Sequence, residues 1–249
     1  MRGMFFFITA IIALIYWDVK FKLVYLINRK AALRFLNKRF HGTAKNFFRI
    51  LFWLTDFKII VEKNELLEKI PHGSIFLVNH QSLIDIPVLI YVFSRFQIRF
   101  AAKESLFRFV PYISFVLRLQ RHGRISRSGD LDSTRKQLEN LARGIGRGEC
   151  PLIFPEGTRS KTGRLRRFHT GGLRSILKVE TAPIVVVAMD GGARVSDLHG
   201  IHRNIACAKY RIKVVDIIKL EERPENLGKL IDGARENISK VIDNWRNEN

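Results

Sequence analysis

A chain of 249 residues with 47% hydrophobic content is long enough to bury one substantial core, and nothing in its composition points to disorder or an internal repeat. Its 43 lysines and arginines against 23 acidic residues leave a formal charge of +20, spread along the chain rather than held in a tail, which favours an anionic membrane or nucleic acid as partner. Two cysteines, Cys150 and Cys207, exclude a disulfide framework and fit a reducing, cytoplasm-facing domain, and no spacing of His, Cys or carboxylates predicts a bound metal.

The amino terminus decides between the two polyanions. Met4 to Trp17, MFFFITAIIALIYW, is an uncharged apolar run. As a helix it spans about 21 Å at about 1.5 Å per residue, short of a hydrocarbon core of about 30 Å. The run therefore predicts a partly inserted anchor rather than a straight crossing. No small-x-small cleavage site follows it, which argues against a signal peptide. From Phe21 to Leu54, apolar and aromatic residues are interleaved with Arg29, Lys30, Arg34, Lys38, Arg39, Lys45 and Arg49, and no acid appears until Asp56. That composition suits helices lying in a headgroup layer, with the aromatics at the acyl boundary. The competing reading is a basic amphipathic helix packed on the domain. Residues 1–57 are thus expected to be membrane-anchoring helices, and 58–249 the catalytic domain.

The remainder alternates strand and helix signals. Strands are predicted at 58–62, 74–78, 97–102, 151–154, 184–189 and 210–217, several apolar on both faces. Leu131, Leu138, Leu141 and Ile145 mark one helix, and Leu227 to Trp245 a last amphipathic one. The pattern predicts an α/β fold, a mixed and mostly buried sheet flanked by helices.

Two motifs sit at predicted strand ends, where open α/β sheets place ligand sites. The first is LVNHQSLIDIP, 77–87, with His80 just past a strand and Asp85 at the start of a helix. An aspartate accepting from one imidazole nitrogen fixes the tautomer and leaves the other nitrogen as a base. Alone, His-x4-Asp is a weak pattern. Ser82, beside it, lacks the GxSxG elbow of a hydrolase nucleophile. The second motif is IFPEGTRS, 153–160, in which Pro155 and Gly157 force a tight turn and Glu156, Thr158 and Arg159 are expected close together at its tip. A turn offering an amide, a hydroxyl and a guanidinium suits a phosphate, which Arg grips with two parallel bonds.

NHxxxxD followed tens of residues later by FPEGTRS resembles the glycerophospholipid acyltransferase family, with the lysophosphatidic acid acyltransferases the best match. The resemblance runs over most of Ile59 to Ile217. KESLFRFVPYISFVLRL, with Lys103 and Pro111, leads to a block that reads RHGRISR: Arg127 matches the family's final arginine, but Arg121 stands where glycine is usual and Ser126 where an acid is usual. The resemblance implies a glycerol-3-phosphate acyltransferase-like fold and transfer of an acyl chain from acyl-CoA or acyl carrier protein to the free hydroxyl of a lysophospholipid. It implies His80 as general base oriented by Asp85, and Glu156, Gly157, Thr158 and Arg159 holding the glycerol phosphate, with Arg127 and Lys103 adding positive charge. The thioester is a co-substrate, and no cofactor or metal is expected. Acylation of another lyso-lipid or of glycerol phosphate is the alternative within the class. A nucleic-acid-binding protein would account for the charge, but not for the apolar run or the two strand-end motifs, and no binding module is recognisable. The expected partners are therefore membrane lipids, the acceptor and the acyl donor.

Overall fold

Strands that are apolar on both faces need a layer of helices on each side, and the fold supplies both. The structure, a computed structural model, describes residues 2–125 and 130–248. Two long helices come first, α1 (Arg2–Ile27) and α2 (Arg29–Leu54). There follow β1 (Lys58–Glu62), α3 (Glu65–Lys69), β2 (Ile75–Val78), α4 (Asp85–Val92), β3 (Gln97–Lys103), α5 (Ile113–Leu119) and β4 (Gly123–Ile125). The rest comprises α6 (Leu131–Ala142), β5 (Glu149–Ile153), α7 (Gly171–Leu177), β6 (Ile184–Asp190), α8 (Leu198–Asn204), β7 (Lys209–Ile218) and α9 (Leu227–Asn247).

The described strands form one seven-stranded sheet in the order β1-β7-β6-β2-β5-β3-β4. Only β6 and β7 pair antiparallel; the other neighbours are parallel. The sheet is thus mixed and flanked by helices, as predicted. β4 went unpredicted because three residues are too few to show a period. Side chains alternate across the sheet. Phe76, Val78, Val185, Val187 and Met189 face a core shared with α2 and α4, while Ile75, Leu77, Ile184, Val186 and Ala188 face one shared with α6, α7 and α9.

Two expectations shift. The helix marked by Leu131 to Ile145 ends at Ala142, leaving Leu131 77% exposed and Ile145 buried from a separate 3₁₀ turn beyond it. At the amino terminus α1 runs ten residues past Trp17, to about 39 Å in all. The aromatics of FFRILFW face mostly inward: Phe48 and Leu51 are fully buried, and the Phe48 ring lies 4.9 Å from that of Tyr91 and 5.9 Å from that of Phe57. Trp53 points the other way and is 84% exposed. The packed-on-domain reading therefore holds for one face of α2. Among the described residues no helix is long and apolar enough to cross a membrane.

Candidate active site

β2 and β5 are parallel neighbours with Leu77 opposite Ile153, so both chains leave the sheet at the same edge and at the same level. His80 and Glu156 each follow three residues later. Asn79 makes the exit from β2 possible: its side-chain amide donates to the Met189 carbonyl at 2.8 Å and its Oδ1 accepts from the Met189 N–H at 2.8 Å. The side chain continues the ladder to β6, and the backbone is released to turn.

The turn closes around the Asp85 carboxylate, which is wholly buried at the start of α4. Oδ2 meets His80 Nδ1 at 2.8 Å and accepts from the backbone N–H groups of Gln81 at 2.6 Å and Ser82 at 2.8 Å. Oδ1 accepts from the Tyr210 hydroxyl at 3.1 Å. A buried carboxylate is tolerated only with such partners. The imidazole stacks on Phe154, centroids 3.9 Å apart and planes 13° from parallel, and its side chain keeps 16% exposure. With Nδ1 committed to Asp85, Nε2 is the nitrogen that can take a proton. Ser82, the discarded nucleophile, is buried with its hydroxyl donating to the Val195 carbonyl and accepting from the Ile84 N–H. It braces the loop that leads into α4.

The FPEGTRS turn sits directly against this loop. Gly157 has φ +68°, the left-handed conformation that a glycine adopts without strain, and its N–H closes the turn on the Phe154 carbonyl at 3.0 Å. Gly157 and Thr158 are exposed and Arg159 is half-buried, one corner of its guanidinium donating to the Ser196 carbonyl. Glu156 is not at the tip. It is 3% exposed, one oxygen accepting from the His80 N–H at 2.8 Å and the other from the Arg166 N–H at 3.0 Å. Burial holds its carboxyl above the ordinary carboxylate range, against the pull of the two N–H groups. The physical reason is simple: beside an anion a carboxylate would repel, whereas two backbone dipoles satisfy it inside. Glu156 thereby ties the two motifs together, and the Ser160 N–H adds a second tie to the His80 carbonyl at 2.7 Å.

Lys103 ends β3, one strand beyond β5 on the same edge, and is exposed. Arg127 falls outside the described residues. Three residues that sequence reasoning missed complete the loop. Gln81 donates to Asp190 Oδ1 at 2.9 Å and accepts from the Gly192 N–H at 2.9 Å, and Arg246 on α9 holds both Asp190 oxygens, at 2.8 and 2.9 Å. Tyr210 is the third. An aromatic on the inward period of a predicted strand was the only signal for it.

Comparison with known proteins identifies relatives of this chain. The family described as Acyltransferase matches residues 58–190, more than half of the chain. A 1-acyl-sn-glycerol-3-phosphate acyltransferase of Cocos nucifera is 30% identical over 186 residues, covering 74% of this chain and 56% of that protein. One from Borreliella burgdorferi is 27% identical over 197 residues, covering 78% and 76%. The chain thus spans little more than half of the coconut protein and 65% of a chloroplastic relative from Arabidopsis thaliana. The crystal structure of the 1-acyl-sn-glycerophosphate acyltransferase PlsC of Thermotoga maritima superposes with a TM-score of 0.71 at 20% identity, over 96% of this chain and 94% of that one, and so shares the fold. With a matched sequence that begins at β1, ends at β6 and contains both motifs at one sheet edge, the chain belongs to the acyltransferase family.

Proposed function

We propose that this protein moves a fatty acyl chain from a thioester, acyl-CoA or acyl carrier protein, to the free hydroxyl of lysophosphatidic acid, giving phosphatidic acid. The observation that carries the reading is the His80–Asp85 contact at 2.8 Å on a partly exposed ring beside the FPEGTRS turn. An alcohol attacks poorly at neutral pH because it holds its proton about as tightly as water. His80 Nε2 takes that proton as the hydroxyl oxygen adds to the thioester carbon. The tetrahedral intermediate collapses with expulsion of the thiolate, which receives the proton back from the imidazolium. The substrate supplies its own nucleophile, so none is needed from the protein. Arg159, with Thr158 and the Gly157 turn, grips the acceptor phosphate, and Glu156 keeps that turn in register with His80. Lys103 and Arg127 add positive charge around the same group.

The membrane is the second element of the proposal. α1 is apolar on two sides. Leu14, Trp17, Phe21, Val24 and Tyr25 pack inward on α2 and α5. Ile8, Ile11, Ile12, Ile15, Val19, Leu23 and Leu26, at helical spacing, are each at least 42% exposed. A helix apolar on both sides is ordinarily buried on both. Exposed Arg29, Lys30, Arg34, Lys45 and Arg49 on α2 supply cations for lipid phosphates.

His80→Ala in the full-length protein is the test. On vesicles carrying lysophosphatidic acid, turnover should fall about a hundred- to ten-thousandfold, the usual worth of a positioned base, with circular dichroism and vesicle binding unchanged. Near-normal turnover in the folded variant would remove His80 as the base.

A further inference from the structure

The family match ends at Asp190, but the immediate surroundings of the dyad do not. Tyr210 enters from β7, 125 residues from Asp85, with its ring fully buried and its hydroxyl 3.1 Å from Asp85 Oδ1. The division of labour around the carboxylate is uneven. Oδ2 receives His80 Nδ1 and two backbone N–H groups, whereas Oδ1 accepts from the phenol. Backbone closes the remaining side. A Cβ built on Gly192 would lie 2.9 Å from Asp85 Oδ1, 3.0 Å from the Tyr210 hydroxyl oxygen and 3.0 Å from Gln81 Cβ. The absence of a side chain at 192 is what lets the phenol and the carboxylate meet.

We propose that Tyr210 is a positioning residue for acyl transfer, whose hydroxyl fixes the rotation of the Asp85 carboxylate so that Oδ2 stays aimed at His80 Nδ1. The inference rests on the reading of His80 as general base. Burial and the neighbouring carboxylate both push the phenol's pKa well up, so it remains a donor. Losing that bond leaves a buried charged oxygen without its partner, and the carboxylate can then turn away from the imidazole. Such a residue touches neither substrate, so its loss slows the chemical step and leaves binding alone.

The test is steady-state kinetics of the full chain on vesicle-borne lysophosphatidic acid with an acyl thioester, for Tyr210→Phe alone and in a His80→Ala background. Tyr210→Phe should lower kcat about tenfold or more, with both Michaelis constants within about twofold of the parent. In the His80→Ala background it should cost nothing further, because the bond acts only through the imidazole. A folded Tyr210→Phe protein with unchanged kcat overturns the proposal, as does an equal loss with and without His80. If Tyr210→Phe does not fold, Gly192→Ala, which keeps the phenol but wedges it from the carboxylate, is read in the same assay and must show the same kcat loss. Undiminished activity of His80→Ala itself would instead overturn the general-base reading, so the two failures are distinguishable.

Discussion

His80 and His122 sit in different surroundings. His80 is partly open and held by a carboxylate. His122, between α5 and β4, is enclosed, its Nδ1 accepting from the Phe100 N–H at 3.2 Å and its Nε2 3.3 Å from Gln120 Oε1. Burial, aided by the Arg99 guanidinium, pushes its pKa down from 6.5 to about 3. The unfolded chain thus takes up a proton below about pH 6.5 that the folded protein refuses until about pH 3. Stability from this group is complete at neutral pH and falls as pH drops through that window, by about 1.4 kcal/mol per pH unit. His122→Gln keeps an acceptor for Phe100 and removes the titration. Urea midpoints between pH 7 and pH 4 should decline more gently in the variant than in the parent, and parallel declines would show that the proton is lost elsewhere. Next to it, Arg121 shows what sequence could and could not say at this scale. Its place in RHGRISR was legible as a departure from the family's glycine. The structure gives Arg121 φ +57°, a conformation that glycine adopts without strain and other residues rarely do. Residue type was likewise readable at Glu156, but direction was not: nothing in PEGTRS says that the carboxylate turns inward while Thr158 turns out.

Elements explain which contacts were out of reach of sequence reasoning. Six of the seven described strands and both motif positions follow from local pattern, since period-2 alternation and turn residues are short-range signals. The links that lock the motifs depend on strand order, which local pattern does not contain. α9 is one such link. Its amphipathic face was plain from Leu227 to Trp245, yet its role at the site comes from Arg246 near its end. That guanidinium grips Asp190 with two nitrogens and donates to the Gly163 carbonyl at 2.8 Å. Asp190 in turn holds Gln81 in the His80 loop, and Gly163 follows the FPEGTRS turn. The pair is partly exposed, so its removal should cost stability little, about 1 kcal/mol or less. Its effect on catalysis should be larger, because two loops lose a shared anchor. Arg246→Ala is expected to lower kcat/KM about fivefold or more with a small change in melting temperature. Arg246→Lys, which keeps the charge without the fork, should recover only part of it. Parent-like kinetics in Arg246→Ala would mean that Asp190 and Gly163 hold their loops unaided.

At the scale of the whole molecule, the amino-terminal helices belong to two environments at once. Their inner face is part of the fold. Phe48 and Leu51 reach the main core, Phe21, Ala32 and Leu36 build a smaller one with Tyr112 and Val116, and Asp18 Oδ1 accepts the Tyr112 N–H at 2.8 Å where that residue sits at φ +62°. Deleting α1 would expose this core and unbalance a strained turn, so truncation is a poor probe of the membrane. The outer face can be changed without touching the inner one. Ile12, Leu26, Ile27 and Trp53 are 61%, 80%, 86% and 84% exposed. Burial of such side chains in hydrocarbon is insensitive to salt, whereas attraction of the α2 cations to anionic lipid is screened within about 10 Å at 0.1 M salt. The parent protein should therefore stay on anionic vesicles through a high-salt wash. With Ile12, Leu26 and Ile27 changed to Gln and Trp53 to Ala, binding should persist at low salt and be lost as salt rises. Activity should drop on vesicle-embedded acceptor and hold on a short-chain soluble one, because the dyad and the FPEGTRS turn are untouched. Salt-resistant binding by the fourfold variant would show that these four side chains are not the anchor, and release of the parent protein by salt would leave the cations alone as the attachment.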